Sequence, residues 1–186
     1  GEIGWSKMLL TPEFGPLQRV AFIFTDAEFD EYDEIYNGEP LCRKCGACVR
    51  ECPGGCIPPI NSGKTVTVNL EGKILEWGDI DMWRCYAFYT HAGRYYNPFV
   101  PKEVWDANED GALDLMEGVT DIANETEVVK VYTALQKYFP SWIGYNMAKC
   151  GGCIRGCVSR LEQKGGCMEH RFKEPLRTGK PWKMDR

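Results

Sequence analysis

Two runs of cysteines hold the residues in this chain best suited to chemistry. "LCRKCGACVRECP" places Cys42, Cys45, Cys48 and Cys52 in the order C-x2-C-x2-C-x3-C-P, and "KCGGCIRGCVSR" places Cys150, Cys153 and Cys157 in the order C-x2-C-x3-C. Three thiolates in one tight loop can wrap three corners of a cubane 4Fe–4S cluster. The cysteine after the x3 gap is a helical turn further on, points elsewhere, and suits the other cluster of a two-cluster protein. Gly46 lets the loop turn tightly, and Pro53 stops the chain from continuing regularly. Two blander readings compete. A zinc knuckle would use two cysteines of the first run and leave the third and fourth without a task. Disulfide frameworks belong mostly to small secreted domains with little core, and the ten cysteines here cluster at metal-site gaps instead.

Cross-ligation then sets the count. Cys42, Cys45 and Cys48 would share one cluster with Cys157. Cys52 would share the second with Cys150 and Cys153, which leaves that cluster one ligand short. The candidates are Cys56, Cys85 and Cys167. Spacing does not choose among them, although Cys56 stands close enough to Cys52 to crowd it.

A second constellation is "DANEDGALDLME", residues 106 to 117, which fits D-x-[DN]-x-[DN]-G-x5-E throughout. In an EF-hand-type loop the ligands would be Asp106, Asn108, Asp110, the carbonyl of Ala112, Asp114 and Glu117, with Gly111 at the sharp turn. Calcium in a structural role is the expectation. The bland alternative is a solvated Asx-rich turn opening a helix. His91 and His170, the only histidines, show no Ser or Asp pattern that would make a triad and read as structural or surface residues. The aromatic stretches "RYYNPF" and "AFYTH" read as packing beside a cluster, with a corrinoid or partner surface as the sharper alternative. No Gly-rich phosphate or dinucleotide fingerprint occurs.

The elements that must position these residues can be read from pattern. "SKMLLTPEFGPLQRVAFIFTD" suggests two short strands about a turn at "PEFG", with Val20 to Phe24 as strand formers. "KTVTVNLEGKILEW" suggests a hairpin turning at "EG". "DIDMWRCYAFYTHAG" fits a short helix ended by Gly93. "ETEVVKVYTALQKYF" is a helix on the spacing of Val128, Val131, Leu135 and Tyr138, and "GGCIRGCVSRLEQKGG" is a helix carrying the late cysteines. The expected fold is α+β. Residues 1–37 form a strand–turn–strand piece of a larger domain, which the family resemblance given below makes corrinoid-binding-type, and residues 38–186 form a ferredoxin-like two-cluster domain with a helical insertion at about 92–147.

The 186 residues suffice for one domain with a real core. A net charge of −5 counts against a nucleic-acid partner, which would need a basic face. No apolar run is long enough to span a bilayer. Charge is uneven: "DAEFDEYDEIYNGE" has seven acids and no Lys or Arg, while the tail "RFKEPLRTGKPWKMDR" has six basic residues against two acids. Both stretches read as solvated faces, or more sharply as docking surfaces for a partner. The opening "GEIGW" reads as mid-protein sequence. The location is therefore either cytoplasmic or exported within a longer precursor.

The succession "GEIGWSKMLLTPEFGPLQRVAFIFTD", "CRKCGACVRECP", "DIDMWRCYAFYT" and the late C-x2-C-x3-C resembles the corrinoid-dependent reductive dehalogenases and the epoxyqueuosine reductases, and "TPEFGP" is closer to the former. The resemblance covers most of the chain but only the C-terminal portion of the family's usual length. In that superfamily a lone cysteine in an Asp-x-x-(Lys/Arg)-Cys segment followed by aromatics serves the second cluster. The resemblance thus implies Cys85 as its fourth ligand, and leaves Cys56 and Cys167 as buried small hydrophobes. It also implies electron transfer through two 4Fe–4S clusters to a corrinoid cobalt. The partner would be a redox protein or an upstream corrinoid domain. Val158 stands where the family usually has Pro, the "CPWN" ending of epoxyqueuosine reductases is absent, and the stretch between Cys85 and Cys150 is long. Other classes remain on this evidence: a stand-alone ferredoxin-type carrier, an epoxyqueuosine-reductase-like tRNA-modifying enzyme, and a zinc module.

Overall fold

A computed structural model describes residues 1–91, 93–97, 99–108, 111–117, 124–136, 150–164, 168 and 174. The chain is α+β, with two small antiparallel sheets and several helices. Cys167, His170, Asp110 and Tyr138 lie outside the described residues, as does most of the basic tail.

Strand β1 (Glu2–Ile3) pairs with β2 (Leu9–Leu10), Glu2 facing Leu10 and Ile3 facing Leu9. The turn at "PEFG" forms: Thr11 and Gly15 exchange backbone hydrogen bonds of 3.1 and 2.8 Å, and Gly15 takes φ 55°, a conformation natural to glycine. Val20 to Phe24 do not become the expected strand. They run extended without a ladder, and Phe22, Ile23 and Phe24 are 86, 89 and 97% exposed. β-propensity describes fit to a pleated surface, and no described segment supplies that surface or its hydrogen bonds.

The second sheet follows the sequence pattern. Strand β3 (Thr65–Leu70) pairs with β4 (Lys73–Gly78) in the register Val66–Trp77, Val68–Leu75 and Leu70–Lys73. The two turn residues, Glu71 and Gly72, have φ of 48° and 88°, the positive values that a tight hairpin matched to strand twist demands. Trp5 binds both sheets together. Its carbonyl accepts from the Gly78 N–H at 3.0 Å, and its indole N–H donates to the Pro58 carbonyl at 2.9 Å.

Six helices complete the described structure: α1 (Ala47–Arg50), α2 (Met82–His91), α3 (Lys102–Ala107), α4 (Ala112–Glu117), α5 (Glu125–Gln136) and α6 (Gly152–Lys164). The expected helices over "DMWRCYAFYTH", "ETEVVKVYTALQ" and "GCIRGCVSRLEQK" are all present. Helices α2, α4 and α5 pack on one another, and α1 packs on α6. The apolar core is formed by Ala87, Phe88, Val100, Trp105, Ala112, Leu113, Leu115, Val131 and Leu135. It lies wholly between the two cysteine runs. Val158, in the position where the family resemblance calls for Pro, is 2% exposed inside α6. A proline there would remove an intrahelical hydrogen bond, so its replacement suits a helix that continues to Lys164.

Candidate metal centre

The cysteine runs meet because α1 and α6 approach at glycine. A Cβ on Gly152 would collide with the Glu51 carbonyl oxygen, and one on Gly156 would stand 2.8 Å from Glu51 Cγ and 3.0 Å from the Ala47 carbonyl. The i, i+4 spacing puts both glycines on one face of α6. The side chains of Glu51 and Arg155 form an ion pair across the same contact. The loop before α1 turns at Gly46, φ 70°, as its position among the cysteines predicts.

This contact sorts the thiols into two groups that mix the runs. Cys42, Cys45, Cys48 and Cys157 line one cavity of about 270 Å³, closed by Trp5, Leu10, Leu41 and Leu161. The Trp5 N–H donates to Cys42 Sγ at 3.3 Å, and the Cys42 N–H donates to the Glu2 carboxylate. Lys44 lies 5.4 Å from the Trp5 ring and pairs with Glu76. Cys45 is exposed and the other three are half-buried. Burial pushes the Cys48 thiol up to about 11, with the neighbouring Cys42 and Cys45 adding to the effect.

In the second group, Cys52, Cys85, Cys150 and Cys153 act on one another electrostatically. Burial raises Cys153 to about 12 and also raises Cys150; Cys52 and Cys85 push both further the same way. Cys52 moves oppositely, down to about 6, because the Cys56 thiol and the N–H groups of Cys56, Ile57 and Gly54 hydrogen-bond its sulfur. Cys85 is carried on the first turn of α2, its N–H donating to the Asp81 carbonyl at 2.9 Å. A hydrogen bond from Cys56 lowers its thiol as well. A thiol must lose its proton to bind metal, so Cys48, Cys150 and Cys153, which burial raises, would give theirs up more readily to a cation than to water.

Cys56, one of the three candidates for the missing ligand, is 4% exposed and touches both Cys52 and Cys85. It is buried as expected, and its N–H donates to Cys52 Sγ at 3.3 Å. The sequence carried no sign of that hydrogen bond, nor of the Trp5 and Glu2 contacts to Cys42. Gly152 and Gly156, four positions apart in "GGCIRGC", are the signal from which the α1–α6 contact could have been read. No disulfide joins any of the nine described cysteines. Among the described residues no three His, Cys, Asp or Glu side chains converge closely enough for a single metal ion.

The twelve-residue loop of 106–117 is differently engaged. The Asp106 carboxylate pairs with Arg94 at 2.6 Å and Lys102 at 2.9 Å, and Lys102 chiefly holds its pKa below the ordinary carboxylate value. Asn108 Oδ1 accepts from the Leu113 N–H at 2.9 Å. Gly111 has φ 67°, the turn expected of it, and Ala112 opens α4, which also holds Asp114 and Glu117.

An α+β scaffold with cysteines gathered in two groups from two distant runs defines the class. No family model and no solved structure matches the chain. Curated proteins do. The chain is 28% identical over 151 residues to tetrachloroethene reductive dehalogenases of Desulfitobacterium hafniense and Dehalobacter restrictus, covering 78% of this chain and 26% of each relative. It is 31% identical over 106 residues to that of Sulfurospirillum multivorans, covering 52% and 21%. The chain is a distant relative of the reductive dehalogenases and spans about a quarter of the length of the curated relatives it matches.

Proposed function

We propose that this chain carries two 4Fe–4S clusters and passes electrons through them, as the iron–sulfur portion of a reductive-dehalogenase-like corrinoid oxidoreductase. One observation carries the reading: Cys157 of the late run joins Cys42, Cys45 and Cys48 around one cavity, while Cys52 of the early run groups with Cys85, Cys150 and Cys153. Such crossing is what two-cluster ferredoxin ligation requires and what a zinc knuckle has no use for. It also favours Cys85 as the fourth ligand of the second cluster.

The clusters supply one-electron chemistry; the protein supplies ligation, burial and hydrogen bonds that set potential. Cys42, Cys45, Cys48 and Cys157 would hold the first cluster, with the Trp5 N–H aimed at a ligand sulfur. Cys52, Cys85, Cys150 and Cys153 would hold the second, with N–H groups of residues 54 to 57 on the Cys52 sulfur. The α1–α6 contact fixes both sets at once. The family resemblance implies a corrinoid as electron acceptor, held by a domain or partner beyond this chain.

Iron and sulfide analysis of anaerobically prepared protein tests the reading. About eight of each per chain is expected, two cubanes' worth. Half that amount, or stoichiometric zinc in a colourless protein, refutes it. Binding of cobalamin only when the upstream region is co-expressed would support the corrinoid role, and electron transfer without any cobalamin response would favour a stand-alone carrier.

A further inference from the structure

The two groups of thiols differ in what they show to solvent. Of the described cysteines Cys45 is the exposed one; Cys42, Cys48 and Cys157 beside it are half-buried, as are Cys52, Cys85, Cys150 and Cys153 of the second group. Cys45 also sits among positive charge. Arg43, Lys44 and Arg160 line its cavity, and none of the described lining residues is Asp or Glu. Arg50 adds a fourth cation: its Nη1 donates to the Cys45 carbonyl at 3.2 Å, which lays the guanidinium against the loop. Arg43 and Arg50 are exposed. Lys44 shares its charge with Glu76, yet 46% of its side chain remains in solvent. The chain as a whole has 27 acids against 22 Lys and Arg, so this face runs against the composition.

Resting on the two-cluster reading, we propose that the basic face of Arg43, Arg50 and Arg160 around Cys45 is the docking site of an acidic one-electron carrier protein, and that the first cluster is the one this carrier reduces. One electron passes from the reduced carrier to that cluster. The carrier is oxidised by one electron, the cluster is reduced by one, and no bond or proton moves. An exposed ligand offers a docked carrier the shortest approach, which the half-buried thiols of the second group do not. Charge selects the occupant. A cationic rim speeds the encounter with an acidic protein and turns it toward Cys45, and it repels a basic one. A nucleic acid is the poorer fit, because the net charge of −5 leaves the arginines as a local patch and not a basic track.

Calorimetric titration of the anaerobically prepared full chain with a flavodoxin, a small acidic one-electron carrier, tests the docking. Stopped-flow reduction by the same flavodoxin tests the transfer. Binding is expected, and it should fade as salt rises toward about 1 M, where the Debye length is about 3 Å. Arg43→Glu should raise the Kd and slow the reduction, each by about tenfold, with iron content unchanged. Arg43→Gln should do the same to a lesser extent, and it carries the test if the reversed charge costs iron. Lys130→Glu, the same charge change on an exposed position of α5, should alter neither quantity. Equal weakening by Lys130→Glu overturns the proposal, because net charge alone would then be acting. A moved midpoint potential with an unchanged Kd in Arg43→Glu also overturns it, by making the arginines counter-charges to the cluster. So does an oligonucleotide that binds as tightly as flavodoxin, self-association in place of carrier binding, or wild-type protein with about eight irons that binds no flavodoxin. Wild-type protein without the iron overturns the two-cluster reading instead.

Discussion

Helices α2, α4 and α5 enclose Phe88, Val131, Leu135 and their neighbours in one apolar core, whereas α1 and α6 meet through glycine backbone and an ion pair around groups of thiols. The helical region has the packing that holds an ordinary small domain together. The cysteine region has buried residues too, among them Trp5, Leu10 and Val158, but most of its thiols are only half-buried. Burying thiols that would have to ionise side by side adds little stability by itself. On the two-cluster reading proposed above, a ligated cluster would supply the missing cohesion, because metal binding free energy is folding free energy where the site does not pre-exist. Helix α2 joins the two regimes: Cys85 on its first turn faces the thiols, and Ala87 and Phe88 enter the apolar core.

Removing iron should divide the molecule most sharply. After anaerobic chelation, backbone amides of α1 and α6 are expected to lose hydrogen-exchange protection while those around Val131 and Leu135 in α5 keep most of theirs. Uniform loss across both regions would erase the contrast. Leu135→Ala attacks from the other side. A fully buried leucine replaced by alanine should cost about 2–5 kcal/mol, read as a lower denaturation midpoint of the helical region. The cluster spectra should be unchanged; if they change, the regions are not separable.

Gly152→Ala probes the seam between the runs. Its Cβ meets the Glu51 carbonyl, so α1 and α6 must part, at about 1–3 kcal/mol, and both proposed clusters should lose iron together since each would draw ligands from both cysteine runs. Gly151→Ala, next door with nothing within 4 Å of its Cβ, is the control and should be near neutral. Loss of one cluster only would contradict the mixed ligation.

The smallest effect is expected at Asp106. Its folded pKa is depressed, chiefly by Lys102, so the contribution is present above the unfolded carboxylate pKa and disappears as pH falls through the folded value. Asp106→Asn should slightly lower the melting temperature at pH 7 and not at pH 3. Calcium must compete with Lys102 and Arg94 for this carboxylate. We propose that it does so weakly: a small calcium-dependent rise in melting temperature, abolished by Asp106→Asn or Glu117→Gln. No rise would leave the loop as a helix-opening turn.

The cysteine spacings were legible because ligation imposes local geometry, and the hairpin was legible because "EG" between alternating apolar residues can turn only one way. Val20 to Phe24 misled because a strand-forming sequence needs a partner that local pattern cannot reveal. Cys56 misled differently: its four-residue distance from Cys52 suggested crowding, and the chain turned that closeness into a hydrogen bond. The aspartate at the head of the twelve-residue loop was read for its oxygens, while Arg94, twelve positions upstream, had already engaged it in the fold.

What the sequence determined by itself was chemistry confined to short stretches: two cysteine runs, three helices, one hairpin turn, each fixed by contacts a few residues long. The crossed grouping of the two runs was expected from their x3 gaps; which backbone contacts bring the runs together was decided by tertiary structure. Cys157 reaches Cys42 and Cys85 reaches Cys52 because two glycines let α6 lie against α1, and Asp81 ties α2 to the loop at Cys56. Those are through-space contacts between segments far apart in the chain, and the cysteine spacing that pairs the runs does not encode the glycine and backbone contacts that join them.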